Sequence, residues 1–333
     1  MKSEILKILR GAGSDYISGE DIASKLGVSR TAVWKHIKDL RKSGYDIVSR
    51  VKSGYMLKET PDLLLPAEVK NGLNTKEFGK EIVYFTEIES TNEEAKTLAA
   101  NGAVEGTVVV AEEQGAGKGR LQRKFYSPFG KGIWFSIILR PKILPQDAPK
   151  CTLLAAVAVA KAMDRFKLRA QIKWPNDILY DNKKLVGILT EMATQMDGIE
   201  YVVIGTGINV NIWPQDFPDE IRDVATSLAI MNGGELSRVD FFRAVLEEME
   251  NLYQDVSISG FTNLMNEWKK YSITLGQDVR VISAGDNKEF YGKAIDIDED
   301  GALLVETSGG IKKVLAGDVS IRKKNDVEEI ACY

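Results

Sequence analysis

Histidine is nearly absent: His36 stands alone in 333 residues. That excludes most His-dependent chemistry, including Ser-His-Asp triads, H-E-x-x-H zinc sites and a histidine general base elsewhere in the chain. Cysteine is scarce as well. Cys151 and Cys332 lie far apart, which argues against a disulfide framework or a cysteine-built metal site and makes a reducing cytoplasm the expected compartment. The longest apolar run, CTLLAAVAVA, is far shorter than the ~20 residues a membrane-spanning helix needs. The N-terminal MKSEILKILR alternates charged and apolar residues and has no uninterrupted apolar stretch of the secretory kind. Any reaction must therefore run on cations, carboxylates, amides and backbone groups.

What is present suits a globular protein. Hydrophobic residues make up 44% and charged residues 28%, enough apolar mass for a core, and the length suggests two or three domains. Charge is uneven. Residues 1–60 hold 12 Lys and Arg against 7 Asp and Glu, a net +5, which leaves −9 on the remainder of a chain of net −4. Such a split points to a polyanionic partner for the first segment alone.

The first sixty residues predict three helices. SEILKILRGAG places Ile5, Ile8 and Leu9 on one face and stops at glycines. SGEDIASKLG opens with Ser18 and Asp21 in capping-box spacing and ends at Gly27. SRTAVWKHIKDLRKSG is capped by Ser29, buries Val33, Ile37 and Leu40, and ends at Gly44. The short GVS turn between the last two makes a helix-turn-helix. Arg30, Thr31, Lys35, His36 and Lys38 lie off the apolar face as groups able to reach phosphates and base edges. YDIVSRVKSGYML then alternates around a KSG turn, a hairpin with Arg50 and Lys52 near its tip. The whole reads as a winged helix-turn-helix over 1–60 that binds DNA, followed by a proline-bearing linker.

Residues 67–270 alternate strand-like and helix-like segments, with hairpin signals that make a mixed α/β core of α+β type more fitting than a doubly wound sheet. The chemistry gathers at strand ends. Ser90, Thr91 and Asn92 open a helix, and Gln114 ends a strand just before GAGKGRLQRKF. That loop is glycine-rich and basic, yet it lacks G-x-x-x-x-G-K-[ST] and fails G-x-G-x-x-G. KWPND places Lys173, Asn176 and Asp177 on a turn, and Lys184 precedes an apolar strand containing Gly187. This is an apolar pocket with fixed amide and hydroxyl groups beside a cationic loop, suited to a ligand with an uncharged polar head and a phosphate-bearing co-ligand. Taken singly, Ser-Thr-Asn is a helix cap, the loop a surface loop, KWPND an ordinary turn, and Gly205 and Gly207 a bulge. Their order along one chain is what carries the reading.

In that order the chain closely resembles the bifunctional biotin protein ligases that are also biotin-operon repressors. The resemblance rests on ESTN (89–92), AEEQGAGKGR (111–120), SPFGKGIWFS (127–136), KWPND (173–177), KKLVGIL (183–189) and GTGINVN (205–211), and it covers nearly the whole chain. It implies that biotin and MgATP form biotinyl-5′-AMP, and that biotin then passes to a lysine of a biotin carboxyl carrier domain. It also implies that biotinyl-5′-AMP acts as corepressor of a homodimer on operator DNA.

By matched position, Ser90, Thr91, Asn92 and Gln114 hold the biotin rings, while Lys118, Gly119, Arg120, Lys184 and Gly187 surround its carboxyl group. Gly117, Arg123, Phe125, Asn176, Asn209 and Arg322 serve ATP. Asp177, with Asn176, orients Mg²⁺ and nucleotide and helps deprotonate the acceptor lysine, so the implied catalytic set is Lys118, Arg120, Asp177 and Lys184. The sequence departs from the family's pattern at Lys118, which replaces an arginine, at Leu121-Gln122, which replaces Arg-Gly, and at Phe125, where a tryptophan often stacks on adenine.

Short alternating strands in 271–325 predict an SH3-like small β-barrel. DIDEDGALLVE there imitates a calcium loop, but its last acid falls one residue early, at Glu306, so a hairpin turn is expected. The dimer surface is expected at a sheet edge around YVVIGTGINVNI. Two other readings stand beside this one: a lipoate-type ligase, which the polar set at 90–92 and 114 disfavours, and a non-catalytic biotin or nucleotide sensor.

Overall fold

The computed structural model describes residues 1–323 except 43, 61, 197, 284–288 and 317–318; side chains 3, 122, 283 and 319–323 also lie outside the description. The chain divides into two compact units, Met1–Leu63 and Leu64–Tyr333.

The first unit has the three expected helices, α1 (Lys2–Gly11), α2 (Gly19–Leu26) and α3 (Arg30–Lys42), then a hairpin of β1 (Asp46–Arg50) and β2 (Gly54–Glu59). Ser18 accepts a hydrogen bond from the Asp21 amide at 3.0 Å and Ser29 from the Ala32 amide at 3.1 Å, so both predicted caps satisfy free helix donors. Gly27 ends α2 in the left-handed conformation. Ile5, Leu6, Leu9, Ile22, Val33, Ile37 and Leu40 are buried together with Ile47. The hairpin is fastened to the helices by paired hydrogen bonds between Ile17 and Tyr55. Gly54 permits this, because a Cβ there would lie 2.0 Å from the Ile17 carbonyl and φ is +110°.

The second unit begins with α4 (Pro66–Lys70), β3 (Ile82–Phe85), α5 (Thr91–Ala100), β4 (Val108–Ala111), β5 (Gly132–Leu139) and α6 (Lys150–Arg165). It continues through β6 (Gln171–Lys173), β7 (Asp177–Tyr180), β8 (Lys183–Gln195), β9 (Gly198–Asn209), α7 (Leu228–Asn232), α8 (Arg238–Ser259) and α9 (Thr262–Tyr271). Seven strands form one sheet in the order β3-β4-β5-β9-β8-β7-β6, antiparallel except for β3 and β4. This is the mixed sheet expected; α9 was not anticipated.

Helices α6 and α8 cover one face in the main core, while α5 packs on the other over Val109, Ile138 and Val203. Strand β5 is buried along its whole length, which explains the apolar run IWFSIIL. From Val202 to Ile208, β9 is paired on both sides, with β5 and with β8. The GTGINV stretch is therefore the middle of the sheet, and the sheet edge expected there is corrected. The strand also runs without a register shift at Gly205 and Gly207, so those glycines do not mark a bulge.

Beyond α9, β10 (Asp278–Ser283), β11 (Glu289–Ile297), β12 (Leu303–Thr307), β13 (Gly310–Val314) and β14 (Val319–Lys323) form an antiparallel sheet in the order β13-β12-β11-β10-β14. Among the described residues β13 and β14 do not pair, so the expected barrel is an open sheet here. It shares one core with α6 and α9, and Trp174 fastens it to the KWPND turn by donating from its indole to the Gly301 carbonyl at 3.1 Å. The acidic turn between β11 and β12 is the predicted hairpin connection. Asp298 accepts from the amides of Asp300 and Ala302, and Lys313 pairs with Asp298 and Asp300. Hydrogen bonds to those two aspartates raise the pKa of Lys313. Among the described residues no cluster of His, Cys, Asp and Glu could hold a metal, and no helix is long and apolar enough to cross a membrane.

Candidate functional site

The site is cut into the α5 face of the large sheet by glycine. Gly187 and Gly207 are cross-strand partners on β8 and β9, and Gly205 lies two residues along the same face. Without side chains these positions leave a trench across two buried strands. One end is filled by the Asn92 amide, whose oxygen would be 2.0 Å from a Cβ at Gly205. The other is filled by the Phe125 ring, which a Cβ at Gly207 would meet at 2.5 Å and one at Gly187 at 2.8 Å. Between them opens a cleft bounded by Ser90, Thr91, Gln114, Lys118 and Lys184.

The α5 start supplies the polar end. Ser90 caps the helix and is buried with Thr91 and Asn92. Gln114 accepts from the Thr91 amide at 2.9 Å and the Thr91 hydroxyl at 3.0 Å, and its own amide nitrogen donates to Ser127 at 3.2 Å. Ser136, fully buried on β5, lies 2.8 Å from the Thr91 hydroxyl and 2.6 Å from the Asn92 amide oxygen. Asn92 donates to Glu191 at 2.8 Å, and Glu191 also receives Lys96 at 2.9 Å. Burial alone would pull the Lys96 pKa down, but its hydrogen bonds to Glu191 and Glu93 outweigh that and raise it.

The cationic end comes from the loop and the KWPND turn. The loop folds back as a small hairpin: Gly119 donates to the Arg123 carbonyl at 2.7 Å and Phe125 to the Gly117 carbonyl at 2.8 Å. Its base is held by Gly115 and Ala116 donating to the carbonyls of Ile88 and Glu89. Leu121, at one of the departures from the family pattern, sits at φ 56°, a strained conformation for a residue with a side chain. Arg120 donates to the Asn176 side chain at 3.2 Å and to the Ala316 carbonyl at 2.6 Å, which links the loop, the turn and the C-terminal sheet. Lys184 Nζ lies 2.9 Å from Asp177 Oδ1, at an angle too oblique for a hydrogen bond, so the contact is an ion pair.

The predicted residues do not all converge. Ser90, Thr91, Asn92, Gln114, Lys118, Gly119, Phe125, Asn176, Lys184 and Gly187 line one cleft. Arg120 reaches it through Asn176. Gly117 is backbone beneath the loop, where a Cβ would crowd Ser127 and Gln114. Asn209 is buried and spends its amide on the Thr226 carbonyl, behind Lys184 and outside the cleft. Phe125 is buried edge-on against Trp134 rather than standing free as a stacking platform. Arg322 is fixed only by backbone register opposite Arg280; its side chain lies outside the described residues.

In the first unit, Arg30, Thr31, Lys35 and Lys38 share the exposed side of α3, and Arg50 and Lys52 are exposed at the hairpin tip. His36 is half-buried on the same helix, with its Nδ1 in the interior and without a hydrogen bond. Sequence reading missed Trp34, 53% exposed beside Lys38 on that same side. It also missed Ser136 and Glu191. A signal for Ser136 was available: it is the one polar residue inside IWFSIIL.

Comparison with known proteins agrees with this geometry. Residues 84–209 match the biotin/lipoate A/B protein ligase family, residues 2–56 an HTH domain and residues 274–322 the biotin protein ligase C terminal domain. The bifunctional ligase/repressor BirA of Bacillus subtilis is 44% identical over 96% of this chain and 98% of its own. That of Escherichia coli is 30% identical over 93% and 94%. A solved structure of Aquifex aeolicus biotin protein ligase in complex with biotin and ATP superposes with a TM-score of 0.64 at 29% identity, covering 74% of this chain and all of that one. The chain belongs to the family of bifunctional biotin protein ligases and repressors.

Proposed function

We propose that the chain activates biotin with ATP, transfers it to a carrier lysine, and represses transcription through its N-terminal unit when loaded with biotinyl-5′-AMP. The observation that carries the ligase reading is the single cleft that joins a closed amide–hydroxyl chain at one end to Lys118, Lys184 and the Arg120–Asn176 pair at the other. Biotin's ring system sits in the glycine trench against Ser90, Thr91, Asn92 and Gln114, and its carboxylate points toward Lys118, Arg120 and Lys184.

The carboxylate attacks the α-phosphate of ATP and pyrophosphate leaves. The acceptor lysine then attacks the acyl carbon of the mixed anhydride and AMP leaves. The first nucleophile is already an anion, so one histidine in the chain is no handicap; positioning and charge neutralisation lower the barrier. Gly119 and Gly187 let backbone approach the acyl–phosphate junction. Gly117, Arg123 and Phe125 form the loop side of the nucleotide site. Asn176 works by holding Arg120, Asn209 by holding the segment behind Lys184, and Arg322 from the C-terminal sheet, which we read as the SH3-like domain of residues 271–325 after a catalytic domain of 67–270. Asp177 faces the same junction, where it serves as the proton acceptor for the incoming lysine.

Mg²⁺ fits as an ion carried by the nucleotide. One carboxylate, Asp177, is at hand, which suits an ion held mainly by phosphate oxygens and water. Bound there, it would screen the phosphate charge. Arg30, Thr31, Lys35, Lys38, Arg50 and Lys52 of each protomer in a homodimer meet one half of a two-fold operator in the cytoplasm. The test is transfer of labelled biotin to a carrier domain with MgATP, followed by a gel shift with biotin-operon DNA. Acid-stable label on one lysine and a shift strengthened by biotinyl-5′-AMP are expected. No label would remove the ligase reading, and no shift would remove the repressor reading.

A further inference from the structure

The hydrogen-bond chain at the polar end of the cleft has fewer protons than contacts. Its terminal atoms are two amide oxygens. Gln114 Oε1 must face Thr91, because it receives the Thr91 backbone N–H. Asn92 Oδ1 must face Ser136, because the Glu191 carboxylate at 2.8 Å and the Leu189 carbonyl at 3.4 Å only accept and therefore claim the Asn92 nitrogen. Between those ends run three O···O contacts: Gln114–Thr91 at 3.0 Å, Thr91–Ser136 at 2.8 Å and Ser136–Asn92 at 2.6 Å. Only the two hydroxyls bring protons. One contact always sets lone pair against lone pair, among side chains of which Thr91, Asn92 and Ser136 are almost fully buried.

A ligand N–H directed at any of these oxygens relieves the deficit, whereas a ligand carbonyl alone deepens it. The orientation of the chain depends chiefly on Glu191, the nearer of the two acceptors, which Lys96 holds from the far side, and on Ser136, which bridges the Thr91 hydroxyl and the Asn92 amide oxygen. We infer that Ser136 and Glu191 are positioning residues that make the acid site select a head group bearing N–H donors, with Glu191 fixing the Asn92 amide oxygen inward and Ser136 sharing one proton between two acceptors. The inference rests on the ligase reading above and extends it to two residues outside the cleft lining.

The series to measure is Glu191→Ala, Glu191→Gln and Ser136→Ala in the full chain, by biotin-dependent pyrophosphate release with separate KM values for biotin and ATP. Glu191→Ala leaves the Asn92 amide only its longer bond to the Leu189 carbonyl and raises the biotin KM about tenfold, with kcat and the ATP KM within about twofold. Glu191→Gln keeps an acceptor oxygen for Asn92 and returns the biotin KM to within about threefold of wild type, although its charge is gone. Ser136→Ala also raises the biotin KM about tenfold, and thermal melts of all three show the folded state. The inference is overturned if Glu191→Ala leaves the biotin KM unchanged, or if Glu191→Gln is as damaging as Glu191→Ala, which would make Glu191 a partner of Lys96 only. A loss of kcat in place of a KM effect also overturns it. Absence of any biotin-dependent release by the wild-type chain would instead fail the ligase reading, and this inference with it.

Discussion

Replacing Gly205 by alanine tests whether the trench is built by missing side chains. The new Cβ would stand 2.0 Å from Asn92 Oδ1 and 2.7 Å from its Cγ. To reach about 3.5 Å, a normal contact, the amide must retreat by roughly 1.5 Å. The strand cannot yield instead, because Gly205 is paired with Ser136 on β5 and Leu189 on β8. A retreat of that size breaks the bonds from Asn92 to Glu191 and Ser136. Overpacking of this kind costs about 1–3 kcal/mol of stability. Loss of the oriented amide should weaken biotin by about 1–3 kcal/mol more, roughly fivefold to a hundredfold or more in KM. Calorimetry and biotin titration of Gly205→Ala measure both. Gly234→Ala is the control, since the nearest atom to its Cβ would be 3.9 Å away. A folded Gly205→Ala protein with wild-type melting temperature and biotin KM would refute the trench.

Three further outcomes are expected. Trp34→Ala should weaken operator binding by about 1–3 kcal/mol, the worth of a base-edge contact, without lowering stability by more than about 0.5 kcal/mol. An unchanged gel shift would mean Trp34 does not touch DNA. Arg238→Met strands the fully buried Glu112, 2.8 Å from Arg238 and also bonded to the Leu64 amide. Urea unfolding should show a loss of about 3–5 kcal/mol, and a loss under 1 kcal/mol would show the pair to be dispensable. Burial and the nearby Asp147 push the Cys151 thiol up to about 12, so it stays protonated at any lower pH. Iodoacetamide at pH ~8, where an ordinary thiol with pKa near 8.5 already reacts, should leave Cys151 unmodified in native protein and alkylate it after denaturation. Rapid native labelling, read by peptide mapping, would contradict this.

The first unit was legible because its signals are local. Ser18, Gly27 and Ser29 act within one turn of the helices they bound, and hydrophobic spacing did the rest. The cleft was legible in its polar residues, since they sit at strand ends and a helix start. What sequence could not show was partnership across the sheet. Nothing local says that Asn92 fills the space over Gly205, or that Phe125 covers Gly207, because strand order decides both. The same cause misplaced the sheet edge: GTGINV reads as an apolar strand, and only the pairing with β5 and β8 makes it central.

The central claim is that this cleft activates biotin. Pyrophosphate release by the purified chain with MgATP, in the presence of biotin, of lipoate or of neither acid, tests it most directly. Release with biotin alone is predicted, because the amide–hydroxyl chain at Thr91, Asn92, Gln114 and Ser136 is built for a polar head group. Equal release with lipoate, or tight biotin binding without pyrophosphate, would contradict it.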